Sequence, residues 1–376
     1  MSKKYSIFIT VLFCLFIFGF GIAHFLLPDR EFSEQENNWL AEFKPPTWET
    51  VRSGQFMEDF EEYFNDQFPL RDQWVQLKAL SERTLGKTEN NQVYFGTDGQ
   101  TLFAHFTKIS DEELEKRVGY VNRLGENLDV PVYFSLVPDK SYVQSWLLPE
   151  NAPNVDDGST IGRAAALCGD RVTFIDLRDT LSREGDAFYR TDHHWTTMGA
   201  YQGYLSLMMG MGDSGGIYDY PLALVSDQFY GTTYSASGAG WVKPDSIHTM
   251  IPEGGTRGNV TVTGYPEGAP INSSLYHPKK LEVKDKYAYF LGGNQPLCVI
   301  QNPDAAGGRL LLIRDSYADS LAPFLAEEFQ EVHLFDLRYN NTSLKQYVAD
   351  NGIDQVLVLY SANNFNTDKN LFKLAM

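Results

Sequence analysis

The sequence predicts an α/β fold, a mostly parallel sheet with helices on both faces, preceded by an N-terminal transmembrane helix and interrupted by an irregular β-rich insertion. Three observations carry this. Beyond residue 130 short apolar runs alternate with helix-like periodicity, the pattern of strands joined by helical crossovers. Tyr5 to Leu27 is apolar apart from Tyr5, Ser6, Thr10 and His24. From about Gly210 to Gln295 the periodicity shortens and Gly, Ser, Thr, Tyr and Pro become frequent.

Taken in order, the apolar stretch is long enough as a helix, at about 1.5 Å per residue, to cross a hydrocarbon core of roughly 30 Å. Lys3 and Lys4 before it predict a cytoplasmic N-terminus. A cleaved signal peptide is the rival, since the position is right, but the run is long for one and no clean small-x-small cleavage site precedes Pro28. The expected organisation is a signal anchor over 1–27, a linker over 28–52 containing Pro45-Pro46, and one extracytoplasmic domain over 53–376 with its insertion at about 210–295. Phe56, Phe60, Tyr63 and Phe64, then Leu70, Trp74, Leu77 and Leu80, recur at helical spacing and read as packing residues. Asp98-Gly99 marks a hairpin turn, and Ser110 with Glu113 opens a helix running to about Leu128. Strands are predicted over 130–137, 171–176, 309–313, 331–335 and 355–360, with helices over 197–209 and 319–329.

Setting Lys3 and Lys4 aside leaves 29 basic against 49 acidic residues, a balance of about −20. Such a surface repels nucleic acid and long polyanions, and suits a neutral or amino-bearing glycan better. Acidity that only keeps the domain soluble explains the balance equally well. Of three cysteines, Cys168 and Cys298 lie outside the anchor and leave room for one disulfide, on which a chain of this length does not depend.

The chemically densest stretch is Tyr189 to Tyr201, where Asp192, His193, His194 and Trp195 are consecutive. An acid two positions before a histidine can hold the imidazole in one tautomer and stabilise its cation, the requirement for a general base acting on a hydroxyl. The candidate hydroxyl is Ser316, where an apolar strand stops at Arg314 and Asp315 and a helix pattern begins, a turn that exposes a nucleophile. Read alone, each piece also has an ordinary explanation: Asp and Ser cap helices, and adjacent histidines are often surface residues. A metal site is not expected, since no second His- or Cys-rich cluster supplies further ligands. Lys140, in the loop after the first strand, is a candidate for orienting substrate or simply a solvated turn lysine. Tyr230, Tyr234 and Trp241 in the insertion read as exposed aromatics able to stack on sugar rings.

Together the DHHW string, the RDSY turn, FNDQFPLRDQW at Phe64 to Trp74, VYFGTDGQTLF at Val93 to Phe103 and SLVPDKS at Ser135 to Ser141 resemble the DHHW-motif proteins. Those are similar to the alginate O-acetylation proteins of the SGNH hydrolase-like superfamily. In that family the Asp-x-His precedes the serine, so the resemblance implies Asp192, His194 and Ser316 as a triad. The block that reads Gly-Asp-Ser in SGNH hydrolases begins here with Arg314, and His193 in the middle of Asp-x-His is a rival imidazole. The resemblance makes Asn294, after Gly292-Gly293, an oxyanion candidate. Tyr360 at the end of the last strand is a second, and Trp195 and Arg314 join them as candidate substrate contacts.

These readings combine into an expected function, a membrane-anchored extracytoplasmic O-acetyltransferase acting on a cell-surface or secreted polysaccharide through an acetyl-serine. No cofactor is expected. Acetyl-CoA is cytoplasmic and no CoA-binding signature is present, so the resemblance implies a membrane-bound O-acyltransferase partner that delivers acetyl groups. Two alternatives stand beside it: an acetyl esterase with the same triad, and a non-catalytic glycan-binding or scaffold subunit of a polysaccharide export complex.

Overall fold

A computed structural model describes residues 3–153, 157–183, 185–212, 220–252, 255–256, 258–266 and 269–376. Parts of the expected insertion, 213–219, 253–254, 257 and 267–268, lie outside the described residues. The chain forms two compact units, one of Met1–Asn91 with Ser235–Trp241, the other of Gln92–Tyr234 with Val242–Met376.

In the first unit, Lys3–Leu26 is one helix, long and apolar enough to cross a membrane. His24 on it is buried against the ring of Phe64, and Phe20 stacks on Phe68. The stretch 28–52, expected as a linker, instead carries the strand pair Phe32–Ser33 and Asn38–Trp39 and a helix, Trp48–Ser53, capped by Thr47. It is held by side chains that spacing alone does not reveal. Arg30 pairs with Asp72 at 2.8 Å, and Gln67 Nε2 donates to the carbonyls of Arg30 and Ala41. Helices Gln55–Asp66 and Arg71–Thr84 carry the aromatic and leucine periodicity.

The second unit is built on an eight-stranded sheet. Its strands are β1 (Val132–Val137), β2 (Val172–Asp176), β3 (Thr261–Tyr265), β4 (Ile271–Ser273), β5 (Leu297–Gln301), β6 (Gly307–Arg314), β7 (Phe329–Phe335) and β8 (Gln355–Ser361), in the order β4-β3-β5-β7-β6-β8-β1-β2. From β7 to β2 all neighbours are parallel, while β5, β3 and β4 extend the other edge antiparallel. The expected insertion therefore does more than decorate the mouth of the site, since two of its segments are strands of the main sheet.

Pleating sends successive residues to opposite faces. Leu310, Leu312, Leu357 and Leu359 join one core with the helices Thr197–Gly210 and Ala318–Glu328. Leu311, Ile313, Val356 and Val358 join the other with Asp111–Asn127, Leu344–Asn351 and Ala362–Thr367. Helices thus cover both faces, which is why the central strands are continuously apolar. Cys298 lies in the first core and packs away from Cys168, which borders the second; both are free thiols, so the disulfide does not form. The hairpin Val93–Phe95 with Leu102–Ala104 forms as expected. Gly99 adopts φ 70° and the Asp98 carboxylate accepts the amides of Gln100 and Thr101.

One feature of the connectivity positions the site. The chain leaves β6 for a helix in the first core and leaves β8, its parallel neighbour, for a helix in the second. The two exits diverge, one through the turn at 315–317 and one directly into the helix Ala362–Thr367, and open a crevice at the carboxyl ends of the strands, where α/β folds bind ligands.

Candidate active site

Ser316 stands at that crevice, two residues past the end of β6 and two before the helix Ala318–Glu328. Its turn is tied to both neighbours by Asp315, a fully enclosed carboxylate that accepts the Tyr317 amide at 3.0 Å, the Ser361 amide at 2.8 Å and Asn364 Nδ2 at 2.8 Å. The capping propensity of Asp after a strand is realised here, but across two strands as well as within the turn.

The DHHW segment approaches from the other side as a tight turn. Phe188 and Trp195 bridge its ends, with the Tyr189 amide donating to the His194 carbonyl and the Thr196 amide to that of Ala187. Inside the turn Asp192 Oδ1 accepts the His194 amide at 2.9 Å and His194 Nδ1 at 2.6 Å, and Oδ2 accepts the amide and hydroxyl of Thr232 at 2.7 and 3.0 Å. Burial alone opposes ionisation of Asp192. The two imidazoles and these donors outweigh it and hold the carboxyl well below its usual range. His194 Nε2 then lies 2.7 Å from Ser316 Oγ. With Nδ1–H fixed on Asp192, Nε2 is the acceptor and the serine hydroxyl the donor.

The structure therefore brings Asp192, His194 and Ser316 into one hydrogen-bonded chain, and it gives the two histidines different partners although their rings lie 3.9 Å apart. His193 Nδ1 pairs with Thr232 Oγ1 at 2.7 Å, and its ring is 37% exposed. Asp192, His193 and His194 each offer a ligand atom within 4.8 Å of the others, but both ring nitrogens of His194 are already engaged by protein groups.

The remaining candidates fall elsewhere. Trp195 is fully buried, and its Nε1 donates to the Tyr317 carbonyl at 2.9 Å and Ser320 Oγ at 3.0 Å, tying the DHHW turn to the helix that follows Ser316 instead of lining an open surface. Lys140 is neither a solvated turn lysine nor open to substrate. It is buried, and its Nζ donates to the carbonyls of Tyr189, Arg190 and Asp192 at 2.8, 3.1 and 2.8 Å. Burial pulls this ammonium down to about 8 against the pull of Asp245 and Asp192. Arg314 is 1% exposed and pairs with buried Asp319 at 2.9 Å, while its Nη1 donates to Asn294 Oδ1 at 3.0 Å. Asn294 itself is exposed. Tyr360 sits under the crevice, its hydroxyl buried and not bonded to the triad. The insertion aromatics are not an open platform. Tyr234 is buried and pairs with Tyr230 at 4.4 Å under Lys284, and Trp241, in the first unit, carries Arg83 over its ring.

Four residues at the site had no sequence signal. Thr232 completes the Asp192 shell. Asp245 accepts the Arg190 and Thr191 amides and the Thr191 hydroxyl. Tyr287 stacks on His194, centroids 3.8 Å apart and planes within 9°, and its hydroxyl donates to the Ser316 carbonyl at 3.1 Å. Gly231 passes so close to Asp192 that a Cβ there would lie 2.2 Å from the aspartate Cβ.

A family model described as DHHW protein matches residues 173–335, and one described as SGNH hydrolase-like domain, acetyltransferase AlgX, matches residues 104–217. No curated protein matches the chain. Among solved structures, a DHHW family protein from Eubacterium siraeum is 22% identical, with 76% of this chain and 95% of that one covered and a TM-score of 0.65. Bacillus cereus PatB1, solved with a sulfonyl adduct, is 24% identical over 76% of this chain and 99% of its own, with a TM-score of 0.62. At these identities the likeness establishes the fold. The two family models and the shared fold bear out the resemblance read from the motifs: the chain is similar to the DHHW proteins and to the SGNH hydrolase-like proteins of alginate O-acetylation.

Proposed function

We propose that this protein is a membrane-anchored, extracytoplasmic O-acetyltransferase that modifies a cell-surface or secreted polysaccharide through an acetyl-serine at Ser316. The observation that carries the reading is the pair of short hydrogen bonds on one imidazole, 2.6 Å to Asp192 and 2.7 Å to Ser316. The match to the model of an acetyltransferase's SGNH hydrolase-like domain supports the acyl group and the transfer. These bonds weigh against a non-catalytic binding subunit.

In the first half-reaction Ser316 Oγ attacks the acetyl carbonyl carbon while His194 Nε2 takes its proton. Asp192 stabilises the imidazolium, and collapse of the tetrahedral intermediate expels the donor's oxygen, which leaves with that proton. In the second, a sugar hydroxyl gives its proton to His194 as its oxygen attacks the acetyl-serine, and Ser316 departs reprotonated. The Ser316 amide together with one further donor holds the oxyanion in each step. The helix Lys3–Leu26 anchors the domain with its N-terminus in the cytoplasm, beside a membrane-bound O-acyltransferase that supplies acetyl groups.

The test is the intact mass of the purified chain after exposure to p-nitrophenyl acetate. The expected result is a gain of one acetyl group mapping to Ser316 and absent from Ser316→Ala and His194→Ala. A folded protein that gains no acetyl group and turns over no ester overturns the proposal. An adduct that discharges to water equally fast with and without oligosaccharide assigns the esterase chemistry instead.

A further inference from the structure

The helix Arg71–Thr84 in the first unit leaves open the residues that its sequence offers for packing. Leu70, Trp74, Leu77 and Leu80 are 60%, 37%, 53% and 48% exposed. At about 100° per residue the last three share a face about 120° wide. Gln73, Ser81 and Thr84, which fall between them on that face, carry no charge. The charged residues of the helix lie off it, and Arg71, Asp72 and Lys78 are each engaged by protein groups, Glu36, Arg30 and Asn90.

What this apolar face meets is set by the N-terminal helix beside it. The Trp74 ring lies 6.0 Å from that of Phe16 and 5.7 Å from that of Phe20, and Phe68 stacks on Phe20 at 5.5 Å. Along Lys3–Leu26, at about 1.5 Å per residue, the stretch from Lys4 to His24 rises about 30 Å, the thickness of a hydrocarbon core. Phe20 and Phe16 then stand about 6 and about 12 Å inside its outer boundary. Trp74 is at their level. Holding Phe16 and the residues after it in water leaves only about 20 Å of helix, too little to cross. A helix that crosses therefore carries Trp74 into the outer leaflet with it.

We propose that Arg71–Thr84 is an interfacial helix of the outer leaflet, with Trp74, Leu77, Leu80 and the turn at Leu70 among the acyl chains of phospholipid. An apolar face sunk by about 5–10 Å, with charges kept on the protein side, is the arrangement of a helix lying in a membrane surface. The inference rests on the reading of Lys3–Leu26 as a membrane span and goes beyond it. The first unit is then seated on the bilayer at a second point instead of hanging from one helix.

The test is tryptophan quenching in the full chain reconstituted in phosphatidylcholine vesicles, with lipid brominated midway along its acyl chains as the membrane quencher and iodide as the aqueous one. The Trp74 signal is the difference between wild type and Trp74→Phe. Leu77→Trp, at an exposed position, supplies a second reporter in the Trp74→Phe chain. Both reporters are expected to lose about half their emission to brominated lipid and little to iodide. Quenching of both by iodide alone, or shielding from both quenchers because a second copy covers the face, overturns the interfacial helix. Leu12→Trp, midway along the N-terminal helix, tells the two readings apart. If its emission is lost to brominated lipid and that of Trp74 is not, the span stands and the interfacial helix falls. If iodide reaches it, the span itself is removed and the interfacial helix with it.

Discussion

The two turns that meet at the site are built in opposite ways. The turn that carries Ser316 grows out of the sheet: Ser316 follows a central strand, and its anchor, Asp315, binds the next residue but one and the neighbouring strand's end. The base's turn has no such support. Asp192 and His194 lie between strand β2 and the helix Thr197–Gly210, and are held by Lys140, Thr232 and Asp245, each roughly forty to fifty residues away in sequence. A nucleophile that rides on the core inherits the core's rigidity. A base held by remote side chains depends on each of them.

That contrast predicts where the site breaks. The largest effect is expected from Gly231→Ala. The new Cβ meets the aspartate's own Cβ rather than a flexible tip, so Asp192 must shift by about 1 Å, which is expected to slow acetylation of Ser316 about 100-fold. Single-turnover rates with p-nitrophenyl acetate measure this, and a rate within about twofold of wild type contradicts the dependence of the base on its neighbours.

Lys140→Met comes next, with a loss of about tenfold as three carbonyls of the base turn lose their shared donor. The wild-type pH dependence sharpens the point. Because the folded value, about 8, lies below the ordinary 10.5, the unfolded chain binds more protons between these limits, so this group makes global stability rise with pH across that window. The acetylation rate behaves oppositely, since a neutral amine has too few hydrogens for three carbonyls, and it is expected to fall above about pH 8 while the melting temperature does not. In Lys140→Met the fall disappears.

The smallest effect is expected where the two turns touch. Trp195→Phe loses the bonds to Tyr317 and Ser320 and the packing of the indole's outer ring, lowering stability by about 2–3 kcal/mol in denaturant titration with only a few-fold change in rate.

The parts legible in the sequence share one property, a short-range cause. Strand runs such as Arg309 to Ile313 and the Ser110 cap can be read because burial on both faces and capping leave local marks, and the observed elements begin and end within a few residues of them. Asp192, two residues from His194, carries its own partner. Ser316 is readable only because a strand-to-turn-to-helix pattern and the DHHW resemblance agree on it. By the same measure Lys140 misleads. A lysine after Pro138-Asp139 looks solvated, and only the fold shows three carbonyls turned toward it. Tyr234 and Trp241 mislead for the converse reason, since an aromatic in a Gly-rich loop looks exposed until another segment covers it.

Local chemistry is enough to set the apolar N-terminal helix, the alternation that makes an α/β sheet and the chemical types at the site, because hydrophobic periodicity, capping and adjacent functional groups act over a few residues. Long-range packing selects which histidine meets the serine and brings Thr232 and Tyr287 to its flanks. Those outcomes depend on where the strands of one sheet stop and which way their loops diverge, and contacts between residues forty to more than one hundred positions apart leave no periodic trace in the chain.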